Sequence, residues 1–361
     1  MLEPRTAVRT MKEYHPPLGG RKGLRLDFNE NSSGCSPRVL ARLQQIDAEL
    51  LTKYPERDSV ERTTAEHLGL APEQVLLTNG VDEAIHLVCE TYLEPGDEAL
   101  IIVPTFSMYE IYVQATGATP VTIQAGEDFA FPTQSVLAAI NANTKLIAIA
   151  NPNNPTGSAV SRSDLLRIVE AAPNAAVLVD EAYFDFHGET LLDQIGRRDN
   201  LFLARTFSKA YGLAGLRVGV LCATASQMKM VKRVASPYNV NAIALACLAE
   251  ALADRDYLTN YAAQVRRGRA RLEAEFAALG FRYWPSHANF VLARFGEFRQ
   301  PFVAEMRRRG ILVRDRHSDP GCAGCVRITI GTDEQTDRLL REMREVLAAI
   351  SWIGTRSEVS R

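Results

Sequence analysis

The middle of the chain alternates short apolar runs with amphipathic helical patterns, and this alternation restricts the fold more than any other feature. Residues 100–103, 146–150, 177–179, 201–204 and 218–221 read as buried strands. Residues 82–93, 163–171 and 226–234 read as helices. Ser161-Arg162-Ser163-Asp164 offers N-cap side chains just before the apolar face of the second helix. Strands alternating with helices imply an α/β layer with a largely parallel sheet. The last third changes character. An Arg/Ala/Glu-rich helical stretch covers 242–279, strand-like runs follow at 289–293 and 326–330, and a final helix covers 333–350. These elements suggest a smaller α+β domain, with a boundary near residue 245. Pro16, Pro17, Gly19 and Gly20 mark an extended N-terminal arm.

A length of 361 residues allows about two domains. A net charge of -2 gives no footprint for nucleic acid or an anionic membrane surface. No apolar run approaches the ~20 residues of a membrane span, and the N-terminus shows no signal-peptide pattern, so a cytoplasmic protein is expected. The 6 cysteines are too sparse for a disulfide framework. Cys322 and Cys325 form one CxxC in a Gly-rich loop, but a zinc site would need a second ligand pair, and none matches. No metal is expected, and the loop reads as one carrying incidental thiols. Of the 41 bases only seven are lysines, so chemistry that needs an amine has few candidates.

Four clusters carry chemistry. In Arg205-Thr206-Phe207-Ser208-Lys209-Ala210-Tyr211-Gly212, a lysine follows an apolar strand and two hydroxyl residues. With Arg217, this set suits an aldehyde that bears a phosphate: the amine makes a Schiff base, while guanidinium and hydroxyls bind phosphate oxygens. The alternative is a surface lysine in a flexible loop. Asp180, in Val179-Asp180-Glu181-Ala182-Tyr183, ends a buried run where α/β folds bind ligands. It could pair with a protonated pyridine nitrogen, and Tyr183 could donate to the ring's phenolic oxygen; otherwise this is a solvated strand end. Asn151-Pro152-Asn153-Asn154-Pro155-Thr156-Gly157 is a tight turn whose prolines restrict the asparagines before them. Thr78-Asn79-Gly80-Val81-Asp82-Glu83 opens a helix whose first N–H groups could hold an anion or could simply be capped.

Taken together and in this order, the clusters resemble the fold-type I aminotransferases that use pyridoxal 5'-phosphate (PLP), and within them the histidinol-phosphate aminotransferases. The likeness runs from Asn29-Glu30-Asn31 to Thr332. It takes in Tyr54-Pro55, Pro104-Thr105-Phe106-Ser107-Met108-Tyr109, Pro237-Tyr238-Asn239 and Arg327-Ile328-Thr329-Ile330-Gly331-Thr332. The resemblance implies a large PLP-binding domain (38–245) with a mostly parallel seven-stranded sheet between helices. It also implies a small α+β domain made of 1–37 and 246–361.

It implies that Lys209 is the Schiff-base lysine and proton shuttle, that Asp180 pairs with the pyridine nitrogen, and that Asn154 and Tyr183 hold the phenolic oxygen. Phe106 stacks on the ring. Gly80, Val81, Asp82, Thr206, Ser208 and Arg217 surround the phosphate, and Tyr54 reaches the neighbouring subunit's cofactor in a homodimer. Arg314 and Arg327 grip the substrate's anionic end, with Asn31 and Tyr14 as further substrate residues. Two departures touch substrate recognition. Ser32 stands where the family usually has proline, and Tyr14 sits in an unfamiliar Glu13-Tyr14-His15 context. The implied reaction is ping-pong transamination of L-histidinol phosphate with a 2-oxo acid, 2-oxoglutarate being the expected acceptor. The alternatives are an aromatic amino acid donor or a related threonine-phosphate decarboxylase. A PLP-binding regulator is disfavoured by the lack of a basic patch.

Overall fold

The computed structural model describes residues 2–15, 20 and 22–350. Pro16, Pro17 and Gly19 of the expected arm lie outside them. Twelve strands occur among the described residues: β1 (Leu24–Leu26), β2 (Val75–Thr78), β3 (Glu98–Val103), β4 (Thr119–Gln124), β5 (Thr144–Ala150), β6 (Ala176–Asp180), β7 (Leu201–Thr206), β8 (Gly219–Cys222), β9 (Arg282–Trp284), β10 (Phe290–Arg294), β11 (Ile311–Asp315) and β12 (Cys325–Thr329).

Seven strands form one sheet in the order β2-β8-β7-β6-β5-β3-β4. Only β8 runs antiparallel to its neighbours, so the sheet is mostly parallel, as the alternating pattern required. Its side chains alternate between two buried layers. Val177 and Val179 join one core with the helix Arg162–Ala171. Leu178 joins the other with the helix Gly80–Tyr92. Burial on both faces explains why these strands read as continuous apolar runs. Ser161 caps its helix as expected, accepting from the Asp164 N–H.

Five strands form a second sheet, β1-β11-β12-β10-β9. β1 pairs parallel to β11, with Leu24 opposite Ile311, so this sheet is assembled from both ends of the chain. Three local expectations are corrected. The stretch 242–279 is two helices, Ala242–Ala253 and Arg255–Leu279, broken at Asp254, whose side chain accepts from the Tyr257 N–H and caps the second. The helix expected at 226–234 ends at Val231. Strands β1, β2, β4, β9 and β11 carry too short or too polar a pattern to be read: β4 is partly exposed along its whole length. Residue 245 lies inside Ala242–Ala253, which packs on the helix Pro37–Leu43.

No helix among the described residues is long and apolar enough to cross a membrane. The loop after β7 is seated on the N-terminal segment at Gly212. Its φ is +71°, and a Cβ there would lie 2.0 Å from the Gly34 carbonyl oxygen. Gly212→Ala should therefore cost roughly 2 kcal/mol or more, from left-handed backbone strain plus overpacking. Gly188→Ala, also at positive φ but in open space, should cost only about 1 kcal/mol. Urea unfolding of both variants checks the difference.

Candidate active site

The parallel strands β5, β6 and β7 end side by side, with Ala150 in register with Asp180, and Asp180 with Ala204. Their following residues and the start of the helix Gly80–Tyr92 enclose a cavity of about 330 Å³. Val81, Asp82, Phe106, Asn154, Asp180, Tyr183, Thr206, Ser208, Lys209 and Arg217 all line it. Ten of the expected cofactor residues, scattered over more than a hundred positions, thus meet at one sheet edge. The turn after β5 is held rigidly. Asn153 donates to the Pro104 carbonyl at 2.8 Å and accepts from the Thr105 hydroxyl at 2.8 Å, while Asn151 accepts from the Val160 N–H at 2.9 Å. The bonds preceding Pro152 and Pro155 are both cis.

Two groups of opposite type face this cavity, Asp180 buried and Lys209 half-buried. The Lys209 amine donates to the Phe28 carbonyl at 3.1 Å. Burial, then the nearby Arg327, push its pKa down to about 8. The Asp180 carboxylate accepts from the Tyr109 hydroxyl at 2.6 Å and the Ala182 N–H at 2.9 Å. Burial nevertheless pushes it up to about 6, and it makes no ion pair among the described residues. The adjacent Glu181 differs completely. It points away from the cavity and is ion-paired to Arg205 at 2.8 Å, with the Thr190 hydroxyl and Leu191 N–H completing its bonds. Glu181 is a structural charge, whereas Asp180 is a carboxylate kept ready for a cation.

At the opposite end, the first turn of the helix Gly80–Tyr92 faces Arg217. Gly80 has φ +77°, and a Cβ there would lie 2.6 Å from Arg217 Nη2. Glycine is thus required for the guanidinium to close on the helix start. Arg217 itself holds a strained φ of 56°, and its Nη2 donates to Asp82 at 3.0 Å. Helix N–H groups, a guanidinium and the Thr206 and Ser208 hydroxyls make a cradle suited to an anion.

The second sheet supplies arginines. Arg327 is buried, donates to Asn154 Oδ1, and donates to the Asp27 carbonyl at 2.7 Å. Burial and the neighbouring Arg316 lower its pKa to about 9. Arg314 is its direct cross-strand partner. It lies over the Phe28 ring at 5.2 Å, and burial lowers its pKa also. Neither arginine has a carboxylate ion partner among the described residues, whereas Arg316 pairs with Asp319.

Other expected residues lie elsewhere. Asn31 does not line the cavity; its amide donates at 2.9 Å to both the Ala210 carbonyl and the Tyr257 hydroxyl, fastening the Lys209 loop from behind. Tyr14 is exposed and lines no part of the cavity, but it lies near enough to Arg314 to act on that guanidinium's charge. Tyr54 is 79% exposed and stacks on Tyr238 at 4.3 Å. Sequence reasoning assigned no role to Tyr109, which holds Asp180, or to Asn29, whose amide donates to the Tyr183 hydroxyl at 2.9 Å. Both lie inside runs that carried the resemblance, so their positions were visible but their partners were not.

The chain matches the family Aminotransferase class I and II over residues 21–343. It is 34% identical to histidinol-phosphate aminotransferase of Thermoanaerobacter sp. (strain X514) over 90% of this chain and 93% of that protein. It is 38% identical to histidinol-phosphate aminotransferase 2 of Pseudomonas aeruginosa, over 90% of this chain and 89% of that protein. The solved structure of histidinol-phosphate aminotransferase from Sinorhizobium meliloti in complex with pyridoxal-5'-phosphate superposes with a TM-score of 0.88. It is 25% identical and covers 97% of this chain and 99% of that one.

The Lys209 environment makes a direct prediction. In protein free of carbonyl ligands, reductive methylation of Lys209 should rise with pH around a midpoint near 8, against ~10.4 for an ordinary lysine. Peptide mapping across the pH series reads this out. The sign for stability follows. Between about 8 and ~10.4 the unfolded chain holds the proton more tightly, so this group makes folding more favourable as pH rises through that window.

Proposed function

The chain belongs to the class I and II aminotransferases, and we propose that it moves the amino group of L-histidinol phosphate to 2-oxoglutarate, leaving imidazole acetol phosphate and glutamate. It is a PLP-dependent transaminase of fold type I. The observation that carries the choice of donor is the opposed pair Arg314 and Arg327. Like charges directly across a sheet repel, and among the described residues neither guanidinium is ion-paired to a carboxylate, although Asp319 lies near enough to offset part of the repulsion. A phosphate monoester, with a charge of roughly −1.5 to −2 at neutral pH, compensates both guanidiniums and accepts several of their hydrogen bonds.

The residues fit PLP in their donor chemistry. Asp180 is an unpaired buried carboxylate for the pyridine nitrogen, the Gly80–Arg217 cradle suits the phosphate, and Lys209 supplies an amine for the carbonyl carbon. Val81, Asp82, Thr206 and Ser208 complete the phosphate end, Phe106 covers the ring, and Asn154 and Tyr183 hold the phenolic oxygen. When bound, PLP supplies an electron sink that acidifies the C–H bond of the amino donor. The chain does the rest. Asp180 keeps the ring nitrogen protonated. Asn29 fixes the Tyr183 hydroxyl, and Tyr109 fixes Asp180. Lys209 Nζ, which desolvation makes easier to deprotonate than an ordinary lysine, takes the proton from the donor carbon and gives one back on the other side of the transfer. Arg327, bonded to Asn154, connects the anion grip to the cofactor site.

The proposal includes a division into a large domain, 38–245, and a small domain of 1–37 and 246–361. It also includes a cytoplasmic homodimer in which Tyr54 reaches the neighbouring site. The exposed Tyr54–Tyr238 stack, with Leu51 61% exposed nearby in sequence, supports that last point.

Three outcomes are expected. Purified protein should bind PLP and give a borohydride-stable adduct on Lys209 that Lys209→Ala abolishes; colourless protein that takes up no PLP refutes the cofactor assignment. In a half-reaction screen, histidinol phosphate should convert the cofactor to its amino form faster than phenylalanine or tyrosine, with an oxo product and no carbon dioxide. Arg314→Ala should lower kcat/KM for histidinol phosphate by roughly ten- to a hundredfold, the loss of a charge-assisted bond worth ~1.5–3 kcal/mol. A loss under about threefold for phosphate and carboxylate donors alike removes Arg314 from the substrate site.

A further inference from the structure

The CxxC left aside by the transamination chemistry lies in the packed interior. Cys322 and Cys325 are both fully buried, in an apolar cluster with Phe129, Trp284 and Leu292. The Cys325 N–H donates to the Cys322 carbonyl at 2.9 Å, closing a tight turn that brings the two side chains together. Such a turn keeps the two Cα atoms within roughly 7 Å, the range a disulfide can span. Buried cysteines are usually inert small hydrophobes. This pair differs because Arg294 and Arg282 lie beside it. The Cys325 thiol makes one weak bond, to the Ala323 carbonyl at 3.8 Å, and the neighbouring Cys322 thiol, then Arg294, lower its pKa from the ordinary thiol value despite burial. Arg294 and Arg282, with Trp284, Phe129 and Gly321, also line an adjoining cavity of about 210 Å³. Gly321 directly precedes Cys322; neither sulfur lines the cavity, so a solute reaches the pair through the Gly321 and Arg294 wall.

We propose that Cys322 and Cys325 form a peroxide-reactive dithiol site that closes to a disulfide. The Cys325 thiolate attacks one oxygen of hydrogen peroxide. The O–O bond breaks, and the leaving hydroxide takes up the proton Cys325 had released, giving water and a sulfenic acid. The Cys322 sulfur then attacks the Cys325 sulfur. The S–O bond breaks, and the second hydroxide leaves with the Cys322 proton as water. Two thiols give up two electrons, and one peroxide becomes two waters. The position of the site gives this reaction a consequence. Cys325 opens β12 and lies on the same face as Arg327, two residues on. Its carbonyl accepts from the Arg316 N–H at 3.0 Å. Disulfide closure removes the negative charge beside Arg294 and fastens the loop that carries Arg316 and Asp319 next to Arg327. The oxidised enzyme therefore binds its anionic donor with a changed KM, a consequence that rests on the substrate role given to Arg327.

The test treats the PLP-loaded protein with hydrogen peroxide, alkylates the remaining thiols after denaturation, and maps tryptic peptides. Peptide 317–327 contains both cysteines. It should be recovered unalkylated and lighter by two hydrogen atoms, at peroxide doses that leave the half-buried Cys35 alkylatable. If this peptide stays alkylated at doses that oxidise Cys35, the proposal fails. In folded Cys322→Ser, Cys325 should be trapped by dimedone as its sulfenic acid; no adduct overturns the assignment of Cys325 as nucleophile. A donor KM that shifts on oxidation and returns with dithiothreitol supports the coupling to Arg327. An unshifted KM overturns that coupling, and because the mass readout does not depend on the donor, the two failures are distinguishable.

Discussion

The parallel pairing of β5, β6 and β7 is the constraint on which the rest of the structure depends. It places the ends of three strands, and so the first residues of three loops, within one hydrogen-bonded row. Asp180, the turn at 151–157 and the segment from Thr206 to Lys209 reach the same cavity only because Ala150, Asp180 and Ala204 share that register. A shift by one residue would exchange the two faces of β6. It would turn Asp180 into the space where Glu181 now meets Arg205.

That alternation separates two carboxylates with opposite tasks. Glu181 is satisfied by Arg205, Thr190 and Leu191, and it holds the sheet edge to the neighbouring loop. Asp180 is buried with no ion-pair cation among the described residues, a state that is costly in the bare protein and that, in the role proposed for it, a positive ring nitrogen would relieve. Lys209 obeys the same logic with the sign reversed: burial favours the neutral amine that carbonyl chemistry needs. The opposed Arg314 and Arg327, in the substrate role proposed for them, repeat it. In each case the fold holds a group in the environment its ligand will relieve, which is how an enzyme stores preorganisation.

Much of this was legible before any coordinates. The strands buried on both faces read as apolar runs because nothing polar fits there, and the four chemical clusters are contiguous because each sits on one strand end and its loop. Asp180, Lys209, Arg217 and Asn154 could therefore be named from local context and family resemblance. Edge or short strands such as β1 and β4 could not, since one exposed side erases the pattern. The break at Asp254 was hidden because both flanking helices share one composition, and a cap is visible only when the chain actually turns.

The sequence by itself determined the chemistry on offer: one amine after an apolar strand, one carboxylate at a strand end, a surplus of guanidiniums, and a pair of cysteines three apart. Tertiary structure decided which of these meet. It set Tyr109 on Asp180 across 71 positions, Asn29 on Tyr183 across 154, and Arg327 on Asn154 across 173. It placed Asn31 behind the lysine loop instead of in the cavity, and it buried the two cysteines beside Arg294 instead of leaving them in an open loop. The physical reason is the same throughout. Residue type and local spacing set what a side chain can do, but desolvation and partner distance set what it does, and both are properties of packing between segments far apart in the chain.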